Sequence, residues 1–247
     1  MSVSPIGTQA PALAATRMIG AFPARVEAIE LAAIDGKANS GNISIFVVDG
    51  LEELVDRQEL LRAKEAVTPP YWALVWIGAR AIASYLLANA PAADARVLDL
   101  GCGLGLSGVA AGVGGARVTF ADVAGPCLPF AAASAELAGL GDFETVELDF
   151  TRDTLPGRFD TILAADIVYE PEAYAPLAGF LEQHLAAGGR VLVTESLRAD
   201  ARDFLRLMAE RGFSDSRLDC WVWEDGRRER TWLHTLWRHN PPCMPRK

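Results

Sequence analysis

Arg96 to Asp122 reads RVLDLGCGLGLSGVAAGVGGARVTFAD, and this stretch decides the fold. Its first residues, RVLDL from Arg96 to Leu100, form a short, nearly continuous apolar run, as expected for a strand covered on both faces. Glycines at 101, 103 and 105 turn the chain, a helix of small residues starts at about Leu106, and Val118 to Asp122 (VTFAD) supplies a second apolar strand. Strand, glycine turn, helix and strand make one parallel crossover unit.

Downstream the alternation repeats. A helix is expected over about Pro126 to Ala138, then strands at Thr145 to Phe150 (TVELDF) and Phe159 to Asp166 (FDTILAAD). A helix from about Glu172 to Ala186, a strand from Arg190 to Glu195 (RVLVTE) and a helix from Asp200 to Arg211 follow. Arg217 to Glu224 and Arg230 to Arg238 then flank Asp225-Gly226, a hairpin signal. The expected fold class is therefore α/β: a doubly wound, Rossmann-like sheet, mostly parallel, closed by a C-terminal antiparallel hairpin.

Upstream, Trp72 to Ala90 (WALVWIGARAIASYLLANA) reads as an apolar helix behind Pro69-Pro70. Leu51 to Glu65 has leucines at roughly helical spacing, and Asn42 to Asp49 (NISIFVVD) is β-branched and bounded by glycines, hence a strand. Residues 1–40 lack clear periodicity and are taken as a partly ordered N-terminal extension; 41–240 form one domain and 241–247 a flexible tail.

Composition narrows the function classes. The chain has 247 residues, 51% hydrophobic and 22% charged, an ordinary globular balance. A formal net charge of −9 argues against a general nucleic-acid binder and suits either simple solubility or a cationic partner. No apolar run approaches the roughly 20 residues that span a bilayer, and the N-terminus lacks the pattern of a signal peptide, so no membrane association is expected. Cys102, Cys127, Cys220 and Cys243 are scattered, and His184, His234 and His239 add no metal-ligand spacing. The expectation is reduced thiols in a cytoplasmic protein with no metal.

The chemistry gathers at strand ends. Gly101, Gly103 and Gly105 follow the first strand of the crossover unit, where open α/β sheets bind ligands and where glycine lets the backbone approach them. Dinucleotide-binding proteins share such a loop, so the acids around it carry the distinction. Asp99, just before the loop, would repel a pyrophosphate but attract the ammonium of a methionine moiety. Asp122 ends the second strand, where a carboxylate can accept both ribose hydroxyls. Asp149-Phe150 ends the third, where an acid can take an adenine amino group and a ring can pack on the base. Three acids at three consecutive strand ends suit S-adenosylmethionine (SAM), which carries no phosphate. Asp99 and Asp149 are also readable as satisfied strand-end caps.

The fourth strand leads into ADIVYE, with Asp166 and Tyr169 three residues apart and Ala165 placed against the cofactor. In a helical turn the acid and the ring share a side, so Asp166 can hold an amine and help it shed its proton while Tyr169 walls the channel. Alternatively Asp166 caps the next helix and Tyr169 packs in the core. PPYWALVW puts Trp72 and Trp76 on one helix face, as core residues or with Trp76 lining the cofactor pocket. Arg227, Arg228 and Arg230 form a solvated hairpin tip, or contact an acidic partner.

Together these segments resemble methyltransferase family 16, the seven-β-strand SAM-dependent protein-lysine methyltransferases, over about Pro69 to Arg238. The motifs are the aromatic-rich helix PPYWALVWIGARAIASYLL, DLGCGLG, the acid of FADV, LDF and, most specific, ADIVYEPE with its acid-x-x-Tyr signature. Relatives modify chaperones, translation factors and the β subunit of electron-transfer flavoprotein, and the helix at PPYWALVW is similar to the flavoprotein branch. The resemblance implies a class I methyltransferase sheet, SAM as cofactor and a protein lysine as acceptor. It makes Trp76, Gly101, Gly103, Asp122 and Phe150 cofactor contacts and sets Asp166 and Tyr169 at the substrate channel. Trp76-Ile77 stands where many relatives have Trp-Pro, Phe150 where many have Trp, and TESLRAD at Thr194 to Asp200 where the flavoprotein branch has a glycine-proline segment. A small-molecule acceptor on the same fold and a non-catalytic SAM-binding protein are the other readings, with a dinucleotide-dependent reductase more distant.

Overall fold

The computed structural model describes residues 17–34, 41–51, 71–195, 201–224 and 226–238. The helix expected over Leu51 to Glu65, the tail at 241–247 and most of TESLRAD lie outside the described residues, Leu51 apart.

Three strands come first, β1 (Arg17–Ile19), β2 (Phe22–Leu31) and β3 (Gly41–Val48), in a separate antiparallel sheet. Sequence reading placed 17–31 in a partly ordered extension. The period-2 signal is hidden because the buried residues of β2 change parity, from Ala24 to Ile29 and Leu31.

The remaining elements alternate. They are α1 (Ile77–Ala88), β4 (Arg96–Leu100), α2 (Leu106–Val113), β5 (Arg117–Asp122), α3 (Leu128–Leu137), β6 (Phe143–Glu147) and β7 (Phe159–Val168). Then follow α4 (Tyr174–His184), β8 (Leu185–Glu195), α5 (Arg202–Glu210), β9 (Phe213–Glu224) and β10 (Arg227–Arg238). Seven of the strands form one sheet in the order β6-β5-β4-β7-β8-β10-β9. Its first five members run parallel, and β10 is antiparallel to both β8 and β9. The direction of winding reverses between β4 and β7, so the carboxyl ends of these two strands open the crevice where such sheets bind ligands.

Successive strand residues serve opposite cores. Val97 packs with Ile82 of α1, Val109 of α2 and Phe130 of α3, together with Ile29, Leu31 and Ile45 of the small sheet. Its neighbour Leu98 packs with Leu177 and Leu181 of α4 and Phe204 and Met208 of α5. The small sheet is tied to the first layer by a hydrogen bond of 3.0 Å from the Phe46 N–H to the Ser134 hydroxyl.

Two elements depart from expectation near the crevice. Tyr71–Ala73 is a 3-10 turn and α1 begins only at Ile77, so Trp72 and Trp76 do not share a helix face. Trp76 is extended at the N-cap, and its indole N–H donates to the Tyr71 carbonyl at 2.9 Å, closing the turn. Trp72 instead packs against Phe22 and Phe130, with ring centroids 5.2 and 5.7 Å away. The strand expected at Thr145 to Phe150 lies at Phe143–Glu147, leaving Asp149 and Phe150 in the turn beyond it.

Candidate active site

Beneath the glycine loop lies a cavity of about 30 Å³. Trp76, Asp99, Gly101, Gly103 and Ala165, all singled out in the sequence, line it together, with Leu74, Val75 and Ser107 added by the structure. Gly101 and Gly103 adopt φ of +67° and +49°, a region L side chains rarely enter. At Gly103 a Cβ would also sit 3.1 Å from the Trp72 carbonyl oxygen, so the loop is bare where the aromatic turn crosses it. Gly105 (φ +85°) is the left-handed N-cap of α2; it shapes the turn and does not line the cavity.

Asp99 is buried, and Oδ2 accepts the Gly108 N–H from the first turn of α2 at 2.8 Å. Oδ1 is buried with no hydrogen-bond partner. Burial, with Asp122 nearby and against the Gly108 hydrogen bond, pushes its carboxyl up to about 7. A buried, unpaired carboxylate oxygen at a small cavity suits a cation: an ammonium would supply both a hydrogen bond and a compensating charge. Asp122 is also buried; its Oδ2 accepts the Gly103 N–H and its Oδ1 the Ala124 N–H, both at 2.9 Å. The second acid thereby clamps the glycine loop, and each oxygen keeps a lone pair for a further donor.

Asp149 fits the capping alternative. Its Oδ1 accepts the N–H and hydroxyl of Thr151 at 2.9 and 2.6 Å, and Arg152 lies 3.3 Å from Oδ2. These Thr151 hydrogen bonds hold its carboxyl below the usual range, with Arg152 contributing less. Phe150 is half-buried against the α4–α5 core.

At the end of β7, Ala164 pairs with Val193 and Val168 with Glu195, so a bulge gives β7 two more residues than β8 there. Asp166 sits in that bulge at φ +53°, so it and Tyr169 do not share a helical turn. Its carboxylate is buried, and Oδ2 accepts the Gly78 N–H, at the second residue of α1, at 2.8 Å. The Asp166 N–H donates to the Thr194 hydroxyl at 3.0 Å, and that hydroxyl lies 3.5 Å from Asp166 Oδ1. Asp166 thus caps a helix, but α1, which is 88 residues earlier, not the helix that follows it. Tyr169 is half-buried just past β7. Sequence reading missed Gly78 and Thr194. The signal for Gly78 was there, since a glycine inside a helical pattern often marks a close approach; a Cβ at Gly78 would overlap Thr194 and Asp166.

Cys102, Asp122 and Cys127 bring ligand atoms within 4.8 Å of one another, a meeting that their spacing along the chain did not suggest. The donors are poor for a metal ion. Burial, followed by Cys127, Asp99 and Asp122, pushes the Cys102 thiol well above its usual range, and metal binding requires the thiolate. No helix among the described residues is long and apolar enough to cross a membrane.

A sheet with this strand order, and acids at the ends of β4 and β5 beside a glycine loop, is that of a class I SAM-dependent methyltransferase. Residues 56–211 match the lysine methyltransferase family, and the chain belongs to it. It is similar to the electron transfer flavoprotein β-subunit lysine methyltransferase of Xenopus laevis, at 32% identity over 67% of this chain and 72% of that one. Its Danio rerio counterpart is 37% identical over 54% of this chain and 53% of its own. Among solved structures, the fold is similar to magnesium protoporphyrin IX methyltransferase from Synechocystis with bound SAM. That match has a TM-score of 0.53 and 19% identity, covering 74% of this chain and 90% of the other.

Proposed function

We propose that this methyltransferase modifies the side-chain amine of a lysine in a protein, with Asp166 and Tyr169 at the acceptor and the β4–β5 acids at the cofactor. The observation that supports the cofactor half of this reading most is the orphaned Asp99 Oδ1 at the cavity lined by Trp76, Gly101, Gly103 and Ala165. The lysine half rests on the match to the lysine methyltransferase family. Asp99 takes the cofactor's ammonium, and Asp122 takes its ribose hydroxyls while holding the Gly103 amide in place. Gly105 shapes the loop. Asp149, already engaged with Thr151, has a lesser share in the adenine end than its position in the sequence implied, and Phe150 walls that end.

SAM supplies an electrophilic methyl group; the amine lone pair forms the new C–N bond as the C–S bond breaks onto sulfur, leaving S-adenosylhomocysteine. The chain's own part is positioning. Gly78 and Thr194 fix the Asp166 carboxylate at the carboxyl end of β7. There it receives a hydrogen bond from the incoming ammonium and orients the amine once its proton has passed to solvent water. Tyr169, one residue past the strand, walls the approach. The buried cysteines Cys102 and Cys127 are free thiols, which fits a reducing, cytoplasmic setting.

The test offers methyl-tritiated SAM and a fractionated lysate to the purified protein, counting protein and small molecules separately. The electron transfer flavoprotein β subunit of the same source is the first single acceptor to offer. Label in a discrete protein band that vanishes with Asp166→Asn is the expected result. Label confined to small molecules overturns the protein acceptor, and SAM binding without transfer to any acceptor overturns the catalytic assignment.

A further inference from the structure

Leu233 of β10 pairs with Thr194 of β8, and the Thr231 hydroxyl still reaches the Glu195 carbonyl at 3.3 Å. Among the described residues, 227–230 pair with β9, Arg228 opposite Trp223 and Arg230 opposite Trp221. The hairpin therefore runs on past the carboxyl end of β8, on the same side as the crevice. At about 3.3 Å per residue, Arg228 stands roughly 10 Å beyond Thr231. Glu195 pairs with Val168, the neighbour of Tyr169, so the hairpin rises about two to three strand spacings, roughly 10–15 Å, from the acceptor channel.

This extension gathers arginine and tryptophan on one face. Trp221 and Trp223 are 40% and 42% exposed on β9, the edge strand of the sheet. Arg228 lies over Trp221 at 5.1 Å, Arg230 over Trp232 at 5.1 Å and Arg217 over Trp232 at 5.6 Å. Among the described residues of this face, Asp219, paired with Arg230 at 2.6 Å, and Asp215, 3.4 Å from His234, bring negative charge. Glu224 and Glu229 alternate to the other face of the hairpin, opposite Arg227 and Val222. Arginines on an edge strand can serve merely to prevent strand addition, but two exposed indoles beside them work against that purpose. Tryptophan and arginine are the residues in which binding energy concentrates at interfaces, and guanidinium groups already held on rings lose little freedom when a partner arrives. On a chain of net charge −9, a projecting cationic-aromatic face selects a negatively charged partner.

We propose that this hairpin face docks an acidic segment of the protein whose lysine is methylated, an inference that rests on the protein-lysine reading above. The separation from Tyr169 sets the spacing: acidic residues about four to six positions from the target lysine in an extended segment.

The test uses the full chain with S-adenosylhomocysteine and two fluorescein-labelled 14-residue peptides. Each has one lysine; one peptide carries three glutamates centred five positions away and the other has glutamines there. The expected result is at least tenfold tighter binding of the glutamate peptide at low salt, falling below threefold at 0.5 M NaCl. Arg228→Glu with Arg230→Glu should abolish the preference with S-adenosylhomocysteine affinity unchanged. Arg228→Gln alone, which leaves the Arg230–Asp219 pair intact, should reduce it at least threefold. Equal affinities, or a preference that survives both variants, overturn the proposal. So does self-association that Trp221→Ser with Trp223→Ser removes, which would give the face to a second copy. Tritiated SAM with the same peptides separates the two failures. Tight acidic binding without label refutes the lysine reading and keeps the docking face; label without acidic preference does the reverse.

Discussion

Asp99 takes its amide from Gly108, nine residues on, and Asp122 takes one from Gly103, 19 residues back. Asp166 takes its amide from Gly78, 88 residues back, and gives its own N–H to Thr194, 28 residues on. Both ends of the proposed site hold a carboxylate with backbone amides, but the proposed cofactor end does so within one crossover unit and the proposed acceptor end across three separate elements. A site closed locally depends on one loop keeping its shape. A site closed at long range is set by how α1, β7 and β8 pack, so its geometry answers to residues far from the chemistry.

The largest expected effect lies at the long-range end. Asp166→Asn removes the charged contact to the acceptor amine, on the order of 3 kcal/mol, so kcat should fall about 150-fold. SAM affinity by calorimetry should stay within threefold of the parent. If SAM affinity falls as far as kcat, the two ends are not separate and the comparison breaks. At the local end, Asp122→Ala removes the partner of the Gly103 and Ala124 amides together with the ribose acceptor. SAM should bind about 30-fold more weakly, a loss of about 2 kcal/mol, and saturating SAM should restore most of kcat.

The same contrast explains what could be read from the chain. The strand at Arg96–Leu100 was legible to the residue, because a short apolar run followed by a glycine turn has few other readings. Of the nine residues assigned to the cofactor from sequence, Trp76, Asp99, Gly101, Gly103 and Ala165 line one cavity, whereas Gly105, Asp122, Asp149 and Phe150 do not line it. Asp149 was misplaced because the strand before it ends three residues earlier than its apolar pattern suggests, and Thr151, not a strand partner, then decides the role of its side chain. The Asp166–Tyr169 turn was misread because a bulge with a left-handed residue leaves no trace in hydrophobic periodicity. Gly78 and Thr194 carry no local motif that points to Asp166; only the fold brings them together.

A smaller effect sharpens the account of the local end. A free Asp99 carboxyl near 7 must ionise before it can pair with an ammonium, so cofactor binding releases a proton. Its folded value is raised, so the protonated form gains as pH falls and competes with binding. Between pH 7.5 and 5.5, below the titration of the cofactor's own amine, SAM affinity should drop roughly 20-fold. Asp99→Asn should bind weakly at both values with no such slope. An unchanged slope in that variant would place the titrating group elsewhere.

The smallest expected effect bears most directly on the long-range closure. Thr194 is fully buried, and Thr194→Val keeps its shape while removing the hydroxyl that accepts the Asp166 N–H, at a backbone angle that already costs energy. The expected loss is about 1–2 kcal/mol of stability, a fall of roughly 3–6 °C in Tm. General loosening of the sheet would produce the same fall, so Tm alone decides nothing. If the hydroxyl aims Asp166, kcat should drop several-fold at saturating SAM while SAM affinity holds, and Thr194→Ser, which keeps the hydroxyl and loses only a methyl group, should recover kcat. Recovery of Tm without kcat, or of neither, would mean that the acceptor end is held by packing alone and that the Thr194 hydroxyl has no part in aiming its carboxylate.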